Sequence, residues 1–462
     1  MKKNLYLLIT AFILSAAILF AGHGKAFAQD DNKAKKVSGD TKKYRAESIA
    51  LLKEMKENLE KYYYDKNFRG IDLEAKVKAA KDRINTLEYN WQMYRVLVQF
   101  LMDFDDSHTR FQLPSRADFF DYGFSMQMFG AECFIISVKK GSDAEKQGLV
   151  VGDKIVNIGK FKPHREDLWK ILYVLYKLDP ADTVDLAVEK LDGAQQKLTV
   201  KAKTMTQKER REELKSKKNK EKFEPFKCQE VNTQTIACKL YTFVVERNDI
   251  DKMMKQARNY PKMILDLRGN GGGLVSIEEY LLGHFFEQDV KIGDVISRDK
   301  TETRYAKTRG DKVYKGDLVV LIDSRSASAA EMTSRVLQLE KRAKIVGDVS
   351  SGAVMTSYGI GLFSPASSLS VYVLSSVGMS VSVADVVMKD GSRLEKVGVI
   401  PDVPVIPTGA ALNKKMDAVL AYAASMLGAK LTPEKAGEFY FITQKENDED
   451  LDKNADEGDG DK

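Results

Sequence analysis

Met263-Ile264-Leu265-Asp266-Leu267-Arg268-Gly269-Asn270-Gly271-Gly272-Gly273 is the stretch on which the fold turns. Met263 to Leu267 is a short apolar run of the kind that fills a buried strand. The glycines that follow let the backbone turn tightly and expose N–H groups, and Ser276 to Phe286 then reads as a helix. A strand, a glycine loop and a helix start in that order make a site that favours negative charge. A phosphate is one occupant, but no Gly-Lys-Ser/Thr follows the loop. A developing oxyanion is another, and a plain tight turn is the third reading.

The same rhythm runs outward in both directions. Thr235 to Phe243, Leu318 to Ile322 and Ala343 to Val346 read as strands, and Asp249 to Asn259 and Ala329 to Leu339 as helices. Alternation of this kind predicts an α/β core over about 230–430. Inside it, Ser326-Ala327-Ser328-Ala329-Ala330-Glu331 again lies between a strand and a helix. A serine on such a turn can point its hydroxyl outward, close to the helix dipole. Ser328 and Glu331 also have the spacing of a capping box, and the two roles can coexist.

A serine nucleophile needs a base that titrates near neutrality, most often histidine. The sequence has 4 histidines. His23 lies in a leader. His164 sits in a Lys-Pro-His-Arg loop, and His284 in the apolar run Tyr280 to Phe286. His108, in the polar loop Asp105-Asp106-Ser107-His108-Thr109, is the best placed.

Upstream of the core, Leu51, Met55 and Leu59 recur at helical spacing, as do Tyr94, Leu97, Val98 and Leu101. These mark a helical domain at 44–116. Strands at Ala131 to Lys139 and Thr183 to Glu189, with a helix at Leu168 to Leu178, mark a second module at 117–203. A charged connector occupies 204–229, helical or disordered. An acidic tail without periodicity occupies 446–462.

The first 28 residues carry Lys2 and Lys3, an apolar stretch from Leu5 to Phe20, and Ala26-Phe27-Ala28 before Gln29. That is the pattern of a secretory signal; the alternative is an uncleaved anchor. Residues 29–43 read as a flexible lead. No later segment is apolar enough to cross a membrane, so a periplasmic or extracellular protein is expected. A net charge of +6 over 462 residues does not argue for nucleic acid. Cys133, Cys228 and Cys238 are too few for a disulfide framework and lack zinc-site spacing; one bridge or buried thiols both fit. Neither a metal nor another cofactor is expected.

These segments together resemble the tail-specific, or C-terminal-processing, serine peptidases, whose relatives include the tricorn protease core. Gly141-Ser142-Asp143-Ala144-Glu145-Lys146-Gln147-Gly148-Leu149 and Val151-Gly152-Asp153-Lys154-Ile155 look like a PDZ signature. Leu394-Glu395-Lys396-Val397-Gly398-Val399-Ile400-Pro401-Asp402 looks like the family's "lEgxGVxPD" segment. The resemblance implies an α+β multidomain chain: a helical N-terminal domain, a PDZ-like β domain and an α/β peptidase core of crotonase/ClpP-like type. It makes Ser328, three before the Glu, the nucleophile. The better-known branch pairs its serine with a lysine, but Ala353 stands at that place. Ser107-His108 instead resembles the pair in the tricorn-like branch, which uses a Ser-His-Ser-Glu tetrad, and Glu395 is the match for its carboxylate. Ala329, Gly271 and Gly272 would then supply oxyanion donors. Tyr122-Gly123-Phe124-Ser125 would be the PDZ carboxylate loop. Protein or peptide substrates follow from the resemblance, while oligomeric state is not implied. Two other readings stay open: an inactive peptide-binding scaffold on the same fold, and a crotonase-type acyl-CoA enzyme.

Overall fold

The computed structural model describes residues 41–114, 118–220, 224–362, 377–439 and 441. The expected leader at 1–28, residues 29–40 of the expected flexible lead and the acidic tail at 446–462 lie outside the described residues, while 41–43 already belong to helix Thr41–Tyr62.

The glycine-loop stretch belongs to a six-stranded sheet. Its order is Val403–Pro404, Lys344–Gly347, Asp317–Ile322, Lys262–Asp266, Thr235–Leu240, Phe226–Asn232. Neighbours are parallel except the last pair, which is antiparallel. The central strands are mostly apolar because both faces are covered. Met263 and Leu265 point to one core with Leu318, Val320 and Ile345. Ile264, Val319, Leu321 and Val346 point to the opposite core. Helices Arg247–Ala257, Val275–Leu282 and Ala329–Leu339 contribute buried side chains to the first core, and Ala418–Met426 with Pro433–Gly437 to the second. Cys228 and Cys238 face each other across the antiparallel pair and form a disulfide, while Cys133 is a buried free thiol.

A second sheet, not anticipated from sequence, positions the other half of the site. Strand Gly378–Met388 pairs with Thr356–Gly361, with Val290–Ser297 and with Arg110–Gln112; Val290–Ser297 pairs in turn with Thr301–Ala306. Phe111, Met379 and Val381 from this sheet enter the core of the helical region. That region holds helices Thr41–Tyr62, Leu73–Thr86 and Asn90–Met102. Leu52, Met55 and Leu59 line its inner face, with Leu97 and Leu101 opposite. The middle helix was not expected, since it buries only Leu73, Ala80 and Ile84.

Five antiparallel strands make the remaining sheet, in the order Phe124–Phe129, Glu132–Val138, Lys154–Ile158, Thr183–Glu189, Gln195–Lys201. Helix Leu168–Tyr173 continues as a π-helical turn to Leu178, and Ile171 packs into the sheet's core. Asp118–Asp121 and Lys203–Thr206 pair as a separate ribbon, and the connector is helical over Gln207–Lys220. Among the described residues, no helix is long and apolar enough to cross a membrane.

Candidate active site

Ser328 stands at the start of helix Ala329–Leu339 with φ 52° and ψ −118°. A positive φ at a residue with a Cβ costs about 1–3 kcal/mol and persists only where the surroundings over-determine it. Here they do. The N–H of Ser328 points to Ala353 O (2.9 Å) and to Glu331 Oε2 (3.0 Å). Glu331 is fully buried and also accepts from Ser350 Oγ (2.6 Å), Gly352 N (2.6 Å) and Ala353 N (2.9 Å). Burial pushes its carboxyl up to about 7, against those hydrogen bonds, which favour the anion. On the other side sits Gly272, where a Cβ would lie 2.7 Å from Ser328 Cβ. Only glycine lets the loop come this close to the serine.

His108 comes from the loop between helix Asn90–Met102 and strand Arg110–Gln112. Asp106 shapes that loop. Its carboxylate accepts from His108 N (3.0 Å), Thr109 N (2.6 Å), Ser382 Oγ (2.8 Å) and Tyr63 OH (2.9 Å). Burial, helped by the nearby Arg110 charge, pulls the imidazole down to about 4, so it is neutral at physiological pH. Nδ1 lies 2.5 Å from Ser107 Oγ, which donates to Glu395 Oε2 at 2.9 Å. Glu395 Oε1 accepts the Ser107 N–H at 2.7 Å, and burial raises the Glu395 carboxyl above its ordinary range.

Pairing of Arg110–Gln112 with Gly378–Ser380 brings these distant segments together, because the strand that begins at Gly378 leads through a turn to Glu395. Residues Ala353-Val354 then join the two halves: Ala353 O accepts from Ser328 N, and Val354 N donates to Glu395 Oε2 (3.1 Å). Ala353, at the position that would carry a lysine, is thus in direct contact with the Ser328 backbone. Among the described residues no hydrogen bond yet links the His108 ring to Ser328.

The expected oxyanion donors separate on inspection. Among the described residues, the N–H groups of Ala329 and Gly271 have no acceptor. The N–H of Gly272 is held by Asn270 Oδ1 at 2.8 Å and is not free. Gly272 therefore acts by its missing side chain, and Gly271 is the available donor of that loop. The tie from Asn270 was not legible, because an Asn can turn its side chain to several local N–H groups.

The Tyr122 to Ser125 segment opens strand Phe124–Phe129, an edge strand of the five-stranded sheet. Tyr122 is buried and donates to Ala181 O. Gly123 N donates to Asp121 Oδ1 (2.8 Å), and Ser125 Oγ meets Ser137 Oγ (2.5 Å). Further along the strand, Met126 O accepts from Arg325 and Met128 O from Ser324. Beside the glycine loop, Val244, Leu274 and Val275 form an exposed apolar strip that sequence reading overlooked. Its signal was available as apolar residues directly flanking the glycines. His164 and His284 lie elsewhere; His284 is fully buried, just past the helix Val275–Leu282.

Peptidase family S41 matches residues 236–405. A tail-specific protease of Haemophilus influenzae is 27% identical over 267 residues, covering 54% of this chain and 36% of its own length. The carboxy-terminal processing protease CtpA of Bacillus subtilis is 25% identical over 411 residues, covering 87% of this chain and 78% of its own. Among solved structures, mature CPAF shares the fold with a TM-score of 0.64 at 13% identity, over 88% of this chain and 99% of that one.

Proposed function

We propose that this chain, a member of peptidase family S41, is a secreted serine endopeptidase in which Ser328 attacks the peptide carbonyl. The observation that carries the reading is the unbroken relay from Glu395 through Ser107 to His108, tied by Ala353-Val354 to the Ser328 backbone. Nδ1–H of His108 donates to Ser107 Oγ, whose own proton goes to Glu395. That leaves Nε2 a bare acceptor. Nε2 takes the Ser328 proton as Oγ bonds to the carbonyl carbon, and the imidazolium then protonates the leaving amine. The N–H groups of Ala329 and Gly271 receive the oxyanion. The His108 ring and the Ser328 hydroxyl need only come into hydrogen-bond contact as substrate binds, since catalytic hydrogen bonds tighten on substrate binding.

The five-stranded sheet with its helix reads as a PDZ-like unit at 117–203, beside a helical domain at 44–116 and a core at 230–430. The edge Phe124–Phe129 is suited to an added peptide strand. Since Met126 O and Met128 O are already engaged by Arg325 and Ser324, the Phe124-Ser125 end, whose Phe124 shares a core with Ile171, is the part proposed for it. Unfolded or tail-exposed proteins are the expected substrates.

A fluorophosphonate probe should label the wild-type protein at Ser328 and leave Ser328→Ala unlabelled and inactive on unfolded protein. Equal labelling and cleavage by the variant would remove Ser328 from the nucleophile's role. Amidating the substrate's C-terminus should weaken binding; unchanged binding and cleavage would detach the PDZ-like unit from substrate selection.

A further inference from the structure

Ala329 N and Gly271 N lie on different segments, one on the nucleophile turn and one on the glycine loop. A two-donor oxyanion hole exists only while those segments keep their spacing. Three hydrogen bonds hold them together. Ser326 Oγ donates to Leu267 O (2.8 Å), Ala327 N donates to Asn270 O (2.9 Å), and Gly269 N donates to Asp323 Oδ1 (2.8 Å). Only the last involves a carboxylate, and hydrogen bonds to an ionised group are roughly twice as strong as neutral ones.

We propose that Asp323 is a positioning residue that sets the spacing between the glycine loop and the nucleophile turn, an assignment that rests on the peptidase reading above. Asp323 follows strand Asp317–Ile322 and is 9% exposed. Oδ1 takes Gly269 N from one segment and Arg325 N (3.0 Å) from the other. One oxygen atom therefore pins the first residue of the glycine loop and the turn that ends at Ser328. Ser326 Oγ lies 3.5 Å from the same oxygen. Oδ2 faces away and accepts from Gln127 Nε2 (2.8 Å) on the edge strand of the antiparallel sheet. The carboxylate touches no reacting atom. It acts through two main-chain groups, on a distance to which the chemistry is sensitive. Misplacing catalytic groups by about 1 Å can cost on the order of a hundredfold in rate.

The test compares wild type, Asp323→Ala, Asp323→Asn, Asp323→Glu and Gln127→Ala. Readouts are the second-order rate of fluorophosphonate labelling at Ser328, kcat and KM on an unstructured peptide, and thermal unfolding. Asp323→Ala should label and turn over about a hundredfold more slowly, with KM within about threefold of wild type. Asp323→Asn keeps an acceptor for both N–H groups and should recover to within about fivefold. Gln127→Ala removes the bond to Oδ2 and a second one to Ser324 Oγ (3.2 Å), leaves both bonds to Oδ1, and should stay within about threefold. If Asp323→Ala does not fold, Asp323→Glu keeps the charge but shifts the acceptor by a methylene, and should be about tenfold slower while folded. Wild-type rates in Asp323→Ala or in folded Asp323→Glu would overturn the assignment. So would an Asn variant as slow as Ala, or a Gln127 variant as slow as Asp323→Ala, which would put the effect in docking of the sheet. Failure of the wild type to label at Ser328 would overturn the peptidase reading and this assignment with it, whereas unchanged labelling in Asp323→Ala overturns the assignment alone.

Discussion

Ser328 and His108, the proposed nucleophile and base, are positioned by different physics. Ser328 is placed by main chain. The N–H groups of Ser328, Gly352 and Ala353 converge on the buried Glu331 carboxylate, which lies one helical turn along from the serine itself. All of this sits within one α/β core. His108 is placed by side chains borrowed from afar. Asp106 gathers groups from Tyr63 and Ser382, and the ring is oriented by Ser107 and Glu395, which are 288 positions apart. The flanking residues Asp105 and Lys396 both have positive φ and ion-pair with each other at the surface. Exposed pairs of that kind contribute little, at most about 1 kcal/mol. The proposed nucleophile is therefore fixed by main-chain groups of one core, and the proposed base by side chains from several distant segments.

Removing Glu331 should break the nucleophile half most severely. Glu331→Ala leaves the N–H groups of Gly352 and Ala353 and the Ser350 hydroxyl without their buried acceptor. Each unsatisfied buried group costs about 1–3 kcal/mol, so a loss on the order of 4 kcal/mol is expected, together with abolished labelling at Ser328. Urea unfolding measures the first and probe labelling the second. A variant with wild-type stability and labelling would show that the serine's strained backbone is held by something else.

Glu395→Gln acts on the other half, with a smaller effect and no large loss of fold. The amide can still accept from Ser107 N through one atom, but its NH2 now faces Ser107 Oγ and also the Val354 N–H, which loses its acceptor. The hydroxyl must turn and donate to His108 Nδ1. The ring then carries its proton on Nε2, the wrong tautomer for taking a proton from Ser328. kcat should fall by about 10²–10³ with KM nearly unchanged, and the unfolding midpoint should move little. Equal falls in kcat and stability would mean that Glu395 is a structural staple like Glu331, and the contrast between the halves would dissolve.

The same contrast decides what could be read from the chain alone. The Ser328 half is local: a strand, a glycine run and a helix start are contiguous, and Ser326 to Glu331 lie in one short segment. His108, beside Ser107, stood out as the best-placed histidine, but Ser107's part in a pair came from the resemblance. Their link to Glu395 came only through a resemblance, since the sheet that delivers it leaves a poor imprint. Thr301–Ala306 is mostly exposed and lacks an alternating apolar face. Arg110–Gln112 is three residues long. Helix Leu73–Thr86 escaped notice for the same reason, a thin apolar stripe. The pairing of Cys228 with Cys238 depends on strand register, which spacing cannot supply. The roles of Asn270, Asp323 and Asp106 depend on where a short polar side chain turns after the backbone is set.

The smallest expected effect tests whether the base half is as dry as its geometry implies. His108 is held down at about 4, whereas an unfolded chain would titrate it near its ordinary value of 6.5. Between those values the unfolded state binds a proton that the folded state refuses. The His108 contribution to stability is therefore whole above pH 6.5 and is lost as pH drops toward 4. His108→Gln has no such proton to refuse. On going from pH 7.5 to pH 5, the variant should gain on the wild type by about 1–2 kcal/mol. Glu331 has its carboxyl raised to about 7 and runs the opposite way, but it is present in both proteins and cancels in the difference. The acid limb of kcat/KM should likewise lie well below 6.5, because the base stays neutral there. A difference that is flat with pH, with an acid limb at 6.5, would describe a solvated ring on a loose loop. In that case the base would be no less exposed to chance than any surface histidine, and the side chains gathered around Asp106 and Glu395 would not be what holds it neutral.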